Sequence, residues 1–106
     1  MVHTHPNSFL SGTLYVKTPE KCAPVMFIDP RPAVPILVPE YQKYNTSNCA
    51  TYSVQPRRGD LLIFPSWLPH AVDEGECADD EERIVIAFNV MLKGKINNRD
   101  TETLVL

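Results

Sequence analysis

Apolar residues along this chain alternate with polar ones over short stretches and seldom recur at helical spacing. The clearest case is "RIVIAFNVML" at 83–92. In an extended chain Ile84, Ile86, Phe88 and Val90 fall on one side, and Arg83, Val85, Ala87 and Asn89 on the other. "FLSGTLYVKT" at 9–18 mixes β-branched and aromatic residues and predicts a second strand. Gly12 inside it predicts a bulge or the close approach of something bulky. "PVMFIDP" (24–30), "ATYSVQP" (50–56), "LLIFPS" (61–66) and "HAVD" (70–73) predict further strands, and "RRGD" (57–60) a turn with a positive φ at Gly59. Residues 29–50 read as irregular chain, with a brief edge strand over 36–38 and a helical turn near "EYQKYN". The tail is expected to add a strand from Thr103.

Composition sharpens this picture. Ten prolines against four glycines exclude long helices through most of the chain. Roughly six to eight short strands with frequent turns predict an all-β sandwich or barrel, and a double-sheet jelly roll fits best. An immunoglobulin-like sandwich fits less well, since no cysteine pair and no central tryptophan stand at the expected places. The length of 106 residues predicts one domain over 1–106.

Charge removes some partners. The net charge is -3, and Arg57-Arg58 is too small a basic feature for a nucleic-acid footprint, so no nucleic acid is expected. The acidic stretch "DEGECADDEE" (73–82) reads as a solvated loop. Cys22, Cys49 and Cys77 are odd in number and widely spaced, without a CxxC pair. A disulfide framework or zinc knuckle is therefore not expected, and a reducing, cytoplasmic setting fits. The opening residues lack the basic and apolar regions of a secretory leader. No apolar run approaches the ~20 residues that span a bilayer, so no membrane partner is expected.

The candidate chemistry lies in three histidines and one arginine. His3 and His5 are two residues apart, and in extended chain such a pair faces one side. His70 follows "FPSWLP", an apolar strand and a stiff turn, and it heads the next short strand. A barrel can bring these three together, and three imidazoles suit Fe(II), Ni, Cu or Zn with one face of the ion left open. The other reading is a pair of solvent-facing histidines at a frayed end. Arg83 sits on the Val85 and Ala87 side of its strand. There it either binds a carboxylate bidentately or lies in solvent beside Glu81 and Glu82. Asp29 stands where it could pair with Arg31. Asp60 reads as a turn residue.

"HTHPNSFLSGTLYV", "FIDPR", "VQPRRGDLLIFPSWLPHAV" and "RIVIAFN", in this order over about 3–90, resemble the non-haem iron, 2-oxoglutarate-dependent oxygenases, most closely a group from marine bacteria and their phages. The resemblance implies a double-stranded β-helix, a cupin-like jelly-roll barrel. It implies Fe(II) and 2-oxoglutarate as cofactors, and a dioxygenase that hydroxylates a small-molecule or peptide substrate. By position, His3, His5 and His70 take the metal-ligand places. Arg83 takes the place of the residue that pairs with the far carboxylate of 2-oxoglutarate, and Tyr15 that of a strand hydroxyl holding it. Asn89 stands nearby with its role open.

Two departures matter. His5 occupies the acidic ligand's place in the 2-His-1-carboxylate pattern, so the metal would keep more of its positive charge. The superfamily also carries a helical segment and strands ahead of the first histidine, where this chain has two residues. The chain is thus expected to be a fragment, a truncated product or a natural minimal form. An uncovered sheet would favour homo-oligomers. The alternative to catalysis is a cupin-like domain that binds a metal or small ligand without turnover, or a structural β-domain that oligomerises.

Overall fold

The computed structural model describes residues 1–32, 36, 38–72, 81–96 and 103–105. Among these the strands are β1 (Leu10–Lys17), β2 (Val25–Ile28), β3 (Thr51–Val54), β4 (Leu61–Pro65), β5 (His70–Val72), β6 (Ile84–Val90), β7 (Gly94–Ile96) and β8 (Thr103–Val105). The protein is all-β. It is built on two three-stranded antiparallel sheets, ordered β4-β1-β6 and β3-β2-β5, with β7 and β8 as a separate antiparallel pair. This arrangement agrees with an incomplete double-stranded β-helix.

The period-2 pattern decides which faces meet. Ser11, Thr13 and Tyr15 of β1 stand opposite Asn89, Ala87 and Val85 of β6, and these residues line one cavity with Leu62 and Phe64 of β4. The second sheet adds Val25, His70 and Val72 to that cavity. Aromatic contact closes the two sheets: the Phe27 and Phe64 rings meet edge to face at 5.0 Å between centroids. The buried apolar core is small, comprising Tyr15, Cys22, Ala23, Val25, Phe64 and Ala71 among the described residues.

Gly12 serves the close approach its sequence position suggests. A methyl group there would overlap the ring of Phe88, its cross-strand partner. The irregularity in β1 falls elsewhere, between Tyr15 and Lys17. There the turn at 57–60 docks on the strand, with Tyr15 N–H donating to Asp60 O (2.9 Å) and Gly59 N–H donating to Tyr15 O (2.8 Å). Gly59 has φ of 87°, and Asp60 Oδ2 accepts from Arg57 N–H at 2.7 Å, as a turn residue should.

Several local expectations are corrected. Ile36 and Val38 are not in a strand, and Leu37 lies outside the described residues. "EYQKYN" forms bends and no helix. Asparagine side chains compete for the backbone just beyond it: Asn45 N–H donates to Asn48 Oδ1, and Ser47 N–H to Asn45 Oδ1, both at 2.8 Å. Cys22 is disulfide-bonded, against the expectation of reduced thiols, while Cys49 is free. The hairpin strand β7 was not foreseen, because "GKI" is too short for a pattern to register. Most of the acidic stretch, 73–80, lies outside the described residues. Among the described residues no helix is long and apolar enough to cross a membrane.

Candidate metal centre

The opening segment does not fray from the sheets. His3 N–H donates to His70 O (3.0 Å), and His70 N–H donates to His3 O (3.1 Å), which makes an antiparallel bridge across the end of β5. His5 N–H donates to Ser66 O at 2.9 Å, fixing the next residue but one against the end of β4. Asn7 then takes φ of 62°, a left-handed conformation asparagine tolerates, and turns the chain towards β1. Two backbone anchors thus hold the two front imidazoles on one side of an extended segment.

Their rings converge with that of His70. Centroids lie 5.1 Å apart for His3 and His5, 4.4 Å for His3 and His70, and 5.0 Å for His5 and His70. One ring nitrogen from each lies within 4.8 Å of the others. Burial rises across the set, from exposed His3 through half-buried His5 to buried His70. Phe64 and Phe27 pack on the His70 ring at 4.7 and 6.2 Å and form its apolar wall.

Hydrogen bonds select which nitrogens face inward. His70 Nδ1 is 2.9 Å from Leu68 O, and His3 Nδ1 is 3.1 Å from Met1 O. A carbonyl only accepts, so each Nδ1 carries the proton and each Nε2 keeps its lone pair. Burial, the largest effect, lowers the His70 pKa; the Leu68 carbonyl pulls it up, and His3 and His5 push it further down. The balance favours neutral His70, the form that binds metal.

The donor set fits a divalent first-row ion. Neighbouring ligands at 90° on an ion with bonds of ~2.1 Å stand about 3.0 Å apart. His5 Nε2 and His70 Nε2 are 3.1 Å apart, a hydrogen-bonding contact at a spacing that one ion can also bridge. Imidazole nitrogens held by backbone carbonyls are the usual construction of such a site.

The cavity beside the imidazoles has a volume of about 350 Å³. Arg83 reaches it from one residue before β6. Its guanidinium carbon lies 5.5 Å from the centre of the Tyr15 ring, and its Nη1 makes a long contact of 3.4 Å to Ala23 O. Among the described residues no carboxylate pairs with it, and none lines the cavity. Glu82 is bonded instead to Lys17, at 3.2 Å. Tyr15 is buried, and burial raises its phenol pKa while the guanidinium draws it back down.

All five residues singled out from the sequence, His3, His5, Tyr15, His70 and Arg83, therefore line one cavity, and so does Asn89. What sequence reasoning missed is a buried hydroxyl cluster beside it. Ser66 Oγ donates to Ser8 Oγ (2.8 Å), and Ser11 Oγ lies 2.8 Å from both Ser66 Oγ and the Asn89 side-chain amide. The available signal was that Ser11 shares the inward face of β1 with Tyr15. Serine is too common in loops and strand ends for that to stand out.

No curated protein matches the chain. Residues 1–89 match the family described as "Putative 2OG-Fe(II) oxygenase", a span that includes all three histidines, Tyr15 and Arg83. The chain belongs to this oxygenase family.

Proposed function

We propose that the protein is a metal-binding domain, a single double-stranded β-helix over 1–106, in which His3, His5 and His70 hold one divalent ion and Arg83 anchors a small dicarboxylate. The observation that carries this reading is the convergence of three imidazole nitrogens within 4.8 Å, two of them oriented by backbone carbonyls. Charge supports the second half. Three neutral ligands cancel none of the charge of a divalent ion, and Arg83 adds another positive charge on a cavity wall that has no described carboxylate. Such a cavity favours an anion with two carboxylates, one near the metal and one for the planar fork of Arg83. 2-Oxoglutarate has this form.

Family membership and Arg83 together favour a second reading, in which the bound metal is Fe(II) and the domain is a 2-oxoglutarate-dependent oxygenase. When bound, iron would supply the O2 activation and C–H hydroxylation of that family. The chain's own residues would do the rest. His70, walled by Phe27 and Phe64, would keep one side of the metal dry. Arg83 and Tyr15 would orient the cosubstrate, and the cavity would admit the substrate.

Anaerobic titration with Fe(II), and with Co(II) as a spectroscopic substitute, tests the reading. One ion per chain with nitrogen-ligand spectra is expected, followed by tighter 2-oxoglutarate binding to the loaded protein than to the metal-free one. Failure to bind either ion would overturn it. Succinate formation would then separate turnover from binding alone. We also propose that the domain self-associates through the outer face of the β4-β1-β6 sheet.

A further inference from the structure

The serine cluster beside the cavity fixes the orientation of Asn89. Ser8 Oγ lies 3.0 Å from Leu10 O and 3.4 Å from Val90 O. Both are carbonyl oxygens and can only accept, so the Ser8 proton goes to them. The 2.8 Å contact between Ser66 and Ser8 then uses the Ser66 proton. The 2.8 Å contact between Ser11 and Ser66 uses the Ser11 proton. Ser11 Oγ makes one more contact, 2.8 Å to the terminal amide atom of Asn89, Oδ1. No hydroxyl proton remains for it. Ser11 and Ser66 are 2% and 1% exposed, so water does not enter to supply one.

An asparagine amide has an oxygen and a nitrogen of nearly equal size, and a half-turn about its last bond exchanges them without moving any other atom. Only the nitrogen can donate the missing proton. We propose that Asn89 directs Nδ2 at Ser11 and its carbonyl oxygen into the cavity, where it is a specificity-determining residue that accepts a hydrogen bond from an N–H or O–H of the bound substrate.

The rest of the cavity gives this acceptor its meaning. Arg83 only donates, and the imidazoles serve the metal. A carbonyl oxygen repels an ionised carboxylate and attracts a neutral donor. Asn89 therefore leaves the dicarboxylate to Arg83 and selects a second ligand bearing an amide N–H or a hydroxyl. The orientation of the amide rests on the serine contacts alone. Its role in selection rests on the metal-site reading above.

Two experiments separate these parts. In metal-free protein, NMR should show contacts between the Asn89 Nδ2 protons and the Ser11 β protons. Exchange of the bonded amide proton should be slow and should accelerate in Ser11→Ala. Absence of the contacts, or equal exchange in both proteins, overturns the orientation. In Co(II)-loaded protein, binding of two probe pairs is followed by the visible spectrum: acetohydroxamate against its N-methyl analogue for an N–H donor, and glycolate against methoxyacetate for an O–H donor. The donor-bearing member of at least one pair should bind about 2- to 10-fold tighter, the worth of one neutral hydrogen bond, and Asn89→Ala should erase the difference. Equal binding within both pairs, or a preference that survives Asn89→Ala, overturns the selective role. If Co(II) does not bind, the metal-site reading and the selective role fall together, while the NMR result still decides the orientation.

Discussion

His70 joins backbone pairing and side-chain chemistry at one position. Its N–H and C=O close the bridge to His3, and its ring meets those of His3 and His5. His70→Ala keeps the bridge and removes the most buried ligand. Metal affinity should fall by more than about 100-fold, beyond the 10- to 100-fold that outer hydrogen-bond partners contribute. Co(II) titration measures this, and thermal unfolding of the metal-free variant shows whether the sheets remain intact. His5→Asp should tighten divalent-metal binding relative to the parent, because a carboxylate neutralises part of the ion's charge. Arg83→Gln should leave metal binding unchanged and weaken 2-oxoglutarate by about 10- to 100-fold, the range of a charge-assisted pair, with Arg83→Lys between the two. The histidines and Arg83, which line one cavity, could be singled out as candidates from the sequence because few residue types bind metals or carboxylates. The serines could not, since their role depends on a chain of hydrogen bonds that no spacing encodes.

At the scale of elements, β1 is organised around two constraints its sequence carries. Inward, it presents Ser11, Thr13 and Tyr15 to the cavity. Between Ser11 and Thr13, Gly12 leaves room for the Phe88 ring from β6. Gly12→Ala should destabilise the fold by about 1–3 kcal/mol through overpacking, read as a lower urea midpoint, and adding Phe88→Ala should remove the clash and recover part of the loss beyond additivity. The turn after β2 has a measurable electrostatic signature. Asp29 accepts from the side chain and backbone of Arg31, and these bonds lower its pKa from 3.8 to about 2. Because the folded value lies below the ordinary one, the stabilising contribution is complete above pH 3.8 and is lost as pH falls through about 2. A carboxyl NMR titration should show this, and Arg31→Ala should return Asp29 towards 3.8. The strands of the two main sheets were readable because alternation is local. The stretch at 43–48 was not, because side-chain bonds from Asn45 and Asn48 to the nearby backbone outweigh weak propensities.

At the scale of the molecule, one sheet face is committed and the other is exposed among the described residues. The inner face of β4-β1-β6 lines the cavity, while Leu61, Ile63 and Ile86 on its outer face are 52%, 56% and 54% exposed, with Ile84 and Val90 beside them. Lys17, opposite Ile84 at the end of β1, puts a charge at the margin of that set, where it pairs with Glu82. β4 and β6 each have one hydrogen-bonded neighbour among the described residues, so both sheet edges are also open. The sequence showed the alternation that creates this face but could not show that nothing described covers it, since that depends on how the two sheets meet. An apolar surface is complementary to itself, and a second copy of the chain removes its area from water at roughly 25 cal/mol per Å². Sedimentation velocity should therefore show concentration-dependent association. Ile63→Glu with Ile86→Glu should shift the protein to monomer, because each copy would then have to bury two carboxylates against apolar side chains. The substitutions point away from the imidazoles, so Co(II) affinity should stay the same. A parent protein that sediments as a monomer at every concentration would end the self-association proposal and leave the metal site untouched, since the three histidines converge within a single chain.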